Sequence, residues 1–285
     1  MGETLSANEW AMVPGGKAAN QAVAASRLGI KVGMVGKVGA DYLGEQLIRS
    51  IAKEGVETKL LKQTTKQGTA VAMISVDQDG NNTIVTSKGA NECMSIADID
   101  ESANMLSRSS AVILQLEMEQ HVSEHIIRKA RQHNKYIVLN LAPVVPIAPE
   151  IVSMVDLLIV NETEASELTG LEVNTIESVI EAAKILNNRG VESVIVTLGG
   201  RGALLSTSSF MKHFSPPDVR VVDSTAAGDC FVAAVTALWV KTGNLEVAVD
   251  HAVKIAALSV TKRGAQSSLP SIDEYEAFIA KKVTR

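Results

Sequence analysis

AVILQL at residues 111–116, YIVLN at 136–140, LLIV at 157–160 and SVIVT at 193–197 are the stretches that decide how this chain of 285 residues folds. Each is a short, β-branched, nearly unbroken apolar run, the pattern of a strand covered on both faces. Between and beyond them lie helical patterns at 122–132 and 176–189, and a helix opening at 165–169. Strand and helix in alternation predict an α/β fold, a mostly parallel central sheet with helices on both faces. The alternation continues with a strand at 203–206 and apolar helices at 230–240 and 247–260. Upstream, 18–28 and 42–54 read as helices around a short strand at 31–35. Residues 68–76 and 83–87 read as strands joined by Asp77-Gln78-Asp79-Gly80-Asn81-Asn82, and an Asp-Gly pair between β-rich runs signals a hairpin. The expectation is a single domain over 1–285, with a small β-rich flap built from about 3–13 and 56–90.

Composition narrows the partners. Hydrophobic residues make up 46% of the chain but aromatics only 3%, so the core is built from aliphatic side chains and no stacking platform for nucleic-acid bases is available. The net charge is -5 and no long run of Lys or Arg occurs, which argues against nucleic acid and anionic membrane as partners. No window approaches 18 uninterrupted apolar residues, and Met1-Gly2-Glu3-Thr4 carries no leader-like apolar stretch. Cys93 and Cys230 have no metal-ligand spacing, so a reduced compartment and a cytoplasmic enzyme are expected.

Asp223-Ser224-Thr225-Ala226-Ala227-Gly228-Asp229 precedes a long apolar helix. Small residues at a helix start let backbone amides and the positive end of the dipole meet an anion. An acid there stands close enough to a bound phosphate to take a proton from an attacking hydroxyl. An ordinary capped helix entry fits the spacing equally well. Pro14-Gly15-Gly16-Lys17-Ala18-Ala19-Asn20-Gln21 pairs exposed backbone with side-chain donors, although a turn before a helix reads the same way. Gln115-Leu116-Glu117 ends a predicted strand, where open α/β sheets bind ligands. Asn161-Glu162-Thr163-Glu164 is a capping box by spacing. Thr197-Leu198-Gly199-Gly200-Arg201-Gly202 turns from strand to strand, unlike a dinucleotide fingerprint, and no P-loop motif occurs.

Together these motifs, from about residue 2 to 270, resemble the ribokinase-like (phosphofructokinase-B type) carbohydrate kinases. The resemblance implies ATP-dependent phosphorylation of a pentose, ribose first, at its 5-hydroxyl. Asp229 would be the catalytic base, and the amides of Ala226, Ala227 and Gly228 the anion hole. Gly15, Gly16, Lys17, Asn20 and Glu117, with Asp229, would contact the sugar. Asn161, Glu164, Thr197, Gly199, Gly202 and Gly228 would serve ATP and its Mg2+. An activating K+ would sit on Asp223, Thr225, Ser259, Lys262, Gly264 and Ser268. The flap would pair two copies into a homodimer.

The sequence departs from the family in three places. Ala18 stands where the family's sugar motif has Gly, which leaves deoxyribose or another pentose open. Val253 stands where an Asn often lies beside adenine, which implies an apolar purine contact. The family also begins with a central strand ending in Asn-x-Asp, followed by a stretch leading to Gly-Glu-Thr-Leu. Here Gly2-Glu3-Thr4-Leu5 follows Met1 directly. That strand and its Asp are expected to be missing, through a misplaced start, a truncation or a degenerate copy. Neighbouring strands would then keep unpaired backbone groups at about 1–3 kcal/mol each where buried dry, and sugar affinity would suffer. This leaves a non-catalytic sugar- or nucleotide-binding relative as an alternative. A metallopeptidase is a weaker one: His121-Val122-Ser123-Glu124-His125 fits H-x-x-E-H, but His133, His213 and His251 offer no third-ligand context.

Overall fold

A computed structural model describes residues 9–76 and 82–283. The amino-terminal part runs α1 (Lys17–Arg27), β1 (Gly33–Gly39), α2 (Tyr42–Lys53), β2 (Glu57–Thr64), β3 (Val71–Val76) and β4 (Asn82–Ser87). Two short helices follow, α3 (Ile96–Glu101) and α4 (Ala103–Arg108). The alternating part then runs β5 (Ala111–Leu114), α5 (Gln120–Gln132), β6 (Tyr136–Asn140), α6 (Pro149–Val152), β7 (Leu157–Asn161), α7 (Glu162–Thr169), α8 (Ile176–Asn188), β8 (Ser193–Thr197), β9 (Ala203–Thr207) and β10 (Met211–Phe214). Three helices close the chain: α9 (Ala227–Thr242), α10 (Leu245–Ser259) and α11 (Ile272–Val283).

The central sheet has the order β10-β9-β8-β7-β6-β5. Strands β5 to β8 are parallel, and β9 and β10 extend the sheet antiparallel. Successive side chains of a strand point to opposite faces, and the central strands follow that period. Val138, Leu157, Ile159 and Ile195 join one buried cluster with α1, α9 and α10. Their neighbours Ile137, Leu139, Leu158, Val160, Val194 and Val196 join the other, with α5 and α8. Both faces are thus covered, which is why these strands read as continuous apolar runs.

Residues 219–222, ahead of the 223–229 motif, are irregular: Val221 and Val222 are exposed, and the Val222 and Asp223 N–H groups both donate to the Val260 carbonyl. Several expectations change. Strands β2 and β10 were not foreseen. Within the expected flap, β2 instead pairs in parallel with β1, and only β3 and β4 form a separate two-stranded sheet. Residues 3–8 and 77–81, also assigned to the flap and its hairpin turn, lie outside the described residues. Among the described residues β1 pairs only with β2, and β5 only with β6. None of the helices there is long and apolar enough to cross a membrane.

Candidate active site

Three parallel strands end on polar residues at one edge of the sheet: Asn140 closes β6, Asn161 closes β7 and Thr197 closes β8. The carboxyl edge is where an open α/β sheet leaves a crevice. A cavity of about 250 Å3 opens there, and Lys17, Glu164 and Asp229 line it together with those three residues. Side chains expected at the sugar end and at the nucleotide end therefore share one cleft.

Lys17 opens α1 behind Gly16, whose φ of 96° is in the region that favours glycine. Neither Gly15 nor Gly16 is part of the cavity wall; they turn the chain so that the first turn of α1 reaches it. Lys17 Nζ lies 4.0 Å from Glu117 Oε1. Asn20 Nδ2 donates to Asp229 Oδ2 at 2.8 Å, while Asn20 Oδ1 is buried without a partner. Asn161 and Glu164 form the expected reciprocal cap of α7, each bonding the other's backbone N–H at 2.8 Å. Thr197 Oγ1 donates to the Val160 carbonyl at 3.3 Å.

Asp229 lies in the first turn of α9. Ala226, just before that helix, has φ 61°, a left-handed conformation that costs a non-glycine residue about 1–2 kcal/mol. Among the described residues the N–H groups of Ala226 and Gly228 meet no protein acceptor, and both residues line the cavity. The Ala227 N–H, expected beside them, is engaged: the left-handed residue reverses the chain, so this amide donates to the Ser224 carbonyl at 3.1 Å. What remains is an anion site of two amides at the positive end of a 16-residue helix.

The electrostatics favour a basic carboxylate. Asp229 is only partly screened from the cleft, but the surrounding protein desolvates it and pushes its carboxyl above the ordinary range. Hydrogen bonds from Asn20 and Gln21 and the charge of Lys17 oppose that without cancelling it. Burial also raises Glu117, against the pull of Lys17 and with the push of Asp229. Glu164 is raised by burial too, opposed by the Asn161 N–H and Lys17.

Other expected residues lie away from the cavity. Gly199 and Gly202 close the turn between β8 and β9, through Leu198 N–H to Gly202 O at 2.8 Å and Gly202 N–H to Gly199 O at 3.0 Å. Val253 is buried in the core rather than presented to a ligand. Asp223 Oδ1 accepts from the Thr225 N–H at 2.9 Å and its hydroxyl at 2.6 Å, and Oδ2 accepts from the Gly264 N–H at 2.8 Å. Burial works against the charge of Asp223, yet these donors hold its carboxyl below the ordinary value. Ser259 O accepts from the Lys262 N–H at 3.2 Å, and the Ser268 hydroxyl donates to Ala265 O at 2.8 Å. His125 pairs with Asp100 at 3.0 Å, so the H-x-x-E-H pentapeptide belongs to an ion-paired helix face. Sequence reasoning assigned no role to Gln21, which bonds Asp229, or to Gln115 and Asn140, which bond Gln21.

A family model described as pfkB family carbohydrate kinase matches residues 1–272. The chain is 34% identical over 278 residues to ribokinase of Haemophilus influenzae, covering 98% of this chain and 91% of that one. It is 36% identical over 280 residues to deoxyribokinase of Salmonella typhi, covering 98% and 92%. The solved structure of Arabidopsis thaliana ribokinase complexed with ribose and ATP superposes with a TM-score of 0.90 at 29% identity, covering 98% of this chain and 91% of that one. An acid at a helix start, a cleft at the carboxyl edge and this likeness along nearly the whole chain lead to one conclusion: the protein belongs to the pfkB family of carbohydrate kinases and is an ATP-dependent sugar kinase.

Proposed function

We propose that the chain phosphorylates D-ribose at its 5-hydroxyl, with Asp229 as general base. The observation that carries this reading is the position of the Asp229 carboxylate, beside two free amides of a helix start and in one cleft with Lys17 and Glu164. Phosphoryl transfer depends on such positioning and on charge stabilisation more than on covalent chemistry by the protein. Asp229 takes the hydroxyl proton as the sugar oxygen bonds to the γ-phosphorus. The bond from that phosphorus to the β–γ bridging oxygen breaks, and ADP leaves. A carboxyl raised toward the working pH is a stronger base for this step. The amides of Ala226 and Gly228 donate to the charge that develops on the transferring group.

Lys17, Asn20 and Glu117 hold the sugar, beside the backbone of Gly15 and Gly16. The unpartnered Oδ1 of Asn20 supports this, because a ligand hydroxyl would satisfy a buried acceptor that otherwise costs stability. Asn161 and Glu164, with Thr197 beside them, offer hard oxygen donors of the kind that accompany magnesium on ATP phosphates. The metal, when bound, neutralises phosphate charge. An activating potassium ion would be held at the loop tied by Asp223 through oxygens of Asp223, Thr225, Ser259, Lys262, Gly264 and Ser268; the bonds of Thr225 and Gly264 to Asp223, which gather three of these residues, support this. A cytoplasmic setting agrees with the two unpaired thiols, Cys93 and Cys230. The exposed β3–β4 hairpin supports a homodimer.

A second reading is 2-deoxyribose as the acceptor, favoured by the Salmonella typhi relative and by Ala18 in the sugar motif. Sugar-dependent ADP release, measured with MgATP and K+ across a pentose panel, separates the two. Ribose is expected to have the highest kcat/KM; a higher value for 2-deoxyribose would transfer the assignment. No ADP release above background with any pentose would remove the proposal.

A further inference from the structure

We infer that Gln21 is a positioning residue for Asp229, held by a one-way chain of side-chain amides. The inference rests on Asp229 being the base. Gln21 is almost fully buried on α1, one residue beyond Asn20. Its Nε2 donates to Asp229 Oδ1 at 3.0 Å and to Asn140 Oδ1 at 3.1 Å. Its Oε1 accepts from Nε2 of Gln115, a buried residue just after β5. Asn140 Nδ2 in turn donates to the Ile159 carbonyl of β7 at 3.4 Å.

The direction of this chain is set at its far end. The Ile159 carbonyl can only accept, so the amino group of Asn140 faces it and Oδ1 faces Gln21. Gln21 must then present its own amino group to Asn140 and to Asp229, and its oxygen to Gln115. Both amino hydrogens of Gln21 are committed to acceptors. With Asn20 on Oδ2, each carboxylate oxygen of Asp229 receives an amide donor, so the carboxylate plane is fixed. Donors of this kind favour the charged form, while burial alone favours the neutral acid. A satisfied core glutamine would need no such polarity. This chain ends on a carboxylate that lines the same cavity as the two free amides.

The charged groups facing Asp229 are Lys17 from α1 and Glu117 beyond β5, with Glu164 of α7 across the same cavity. None of them changes when Gln21 is replaced by Met, which keeps the volume and removes the donors. Removing a donor from the carboxylate moves its pKa up, so the acid limb of kcat/KM moves to higher pH.

The test compares pH profiles of wild type, Gln21→Met, Gln115→Met and Asp229→Asn, each checked by thermal melting. Gln21→Met should lower kcat about 10- to 100-fold, the scale of one hydrogen bond to a charged group. Its acid limb should rise while KM for ATP stays put. Gln115→Met, which only frees the Gln21 oxygen, should give a smaller shift in the same direction and serves if Gln21→Met does not fold. An acid limb unmoved in the folded variants overturns the inference. Unimpaired Asp229→Asn turnover would instead overturn the general-base reading itself, whereas an inactive Asp229→Asn beside an unmoved limb removes only the role of Gln21.

Discussion

At Gly202 the backbone runs at φ +91°, and a Cβ there would lie 1.9 Å from the carbonyl oxygen of Phe214. Two independent costs therefore fall on any side chain, a left-handed backbone and a clash that only a backbone shift can relieve. Gly202→Ala is expected to cost about 2 kcal/mol or more, lowering the melting temperature by roughly 4 °C or more. Gly200→Ala, with nothing within 4 Å of its Cβ and an ordinary φ, should melt with wild type. Equal melting of the two variants would contradict this account. The motif drew attention to Gly202 as a nucleotide contact, but the contact that demands glycine is with β10, a strand not legible in advance. Asp229 is the opposite case: a helix start, small neighbours and an acid suffice to suggest its role. Gln21 could not be found that way, since its partners Gln115, Asn140 and Asp229 lie 94, 119 and 208 residues away in sequence.

Among the described residues, β3 and β4 bond only to each other. Met73 and Val85 are cross-strand partners, and alternation puts Val71 on their face; they are 64%, 56% and 39% exposed. An isolated two-stranded sheet with an apolar face is marginal in water. A second copy of the chain laid on that face would dry it. Sedimentation at tens of micromolar should return twice the mass of one chain, and Met73→Lys should return one. A monomeric wild type would contradict the pairing. This hairpin was legible because Asp79-Gly80 separates two β-branched runs. Strand β2 was not, because its sequence ETKLLKQT mixes lysines with leucines as a half-exposed edge strand does. Nor was β10, whose four residues MKHF carry too little pattern.

For the whole molecule, the two apolar clusters on either face of the sheet hold the site rigid. Helix α9 is buried from Cys230 to Ala237, so the base stands on the first turn of an element embedded in the core. Its counterpart α1 brings Lys17, Asn20 and Gln21 to the same point, while β6, β7 and β8 deliver Asn140, Asn161 and Thr197. Strand order and helix placement thus assemble a cleft from motifs scattered across more than two hundred residues. The fold class was legible because each central strand is covered on both faces. The shared cavity follows from the parallel order of β5 to β8, which apolar runs alone do not specify. The most direct test of the central claim is the turnover of Asp229→Asn in the sugar-dependent ADP-release assay, beside wild type and with folding verified by melting. Loss of a general base predicts a kcat lower by roughly 10²–10⁴-fold, with the KM for ATP little changed; turnover within a few-fold of wild type would contradict the account.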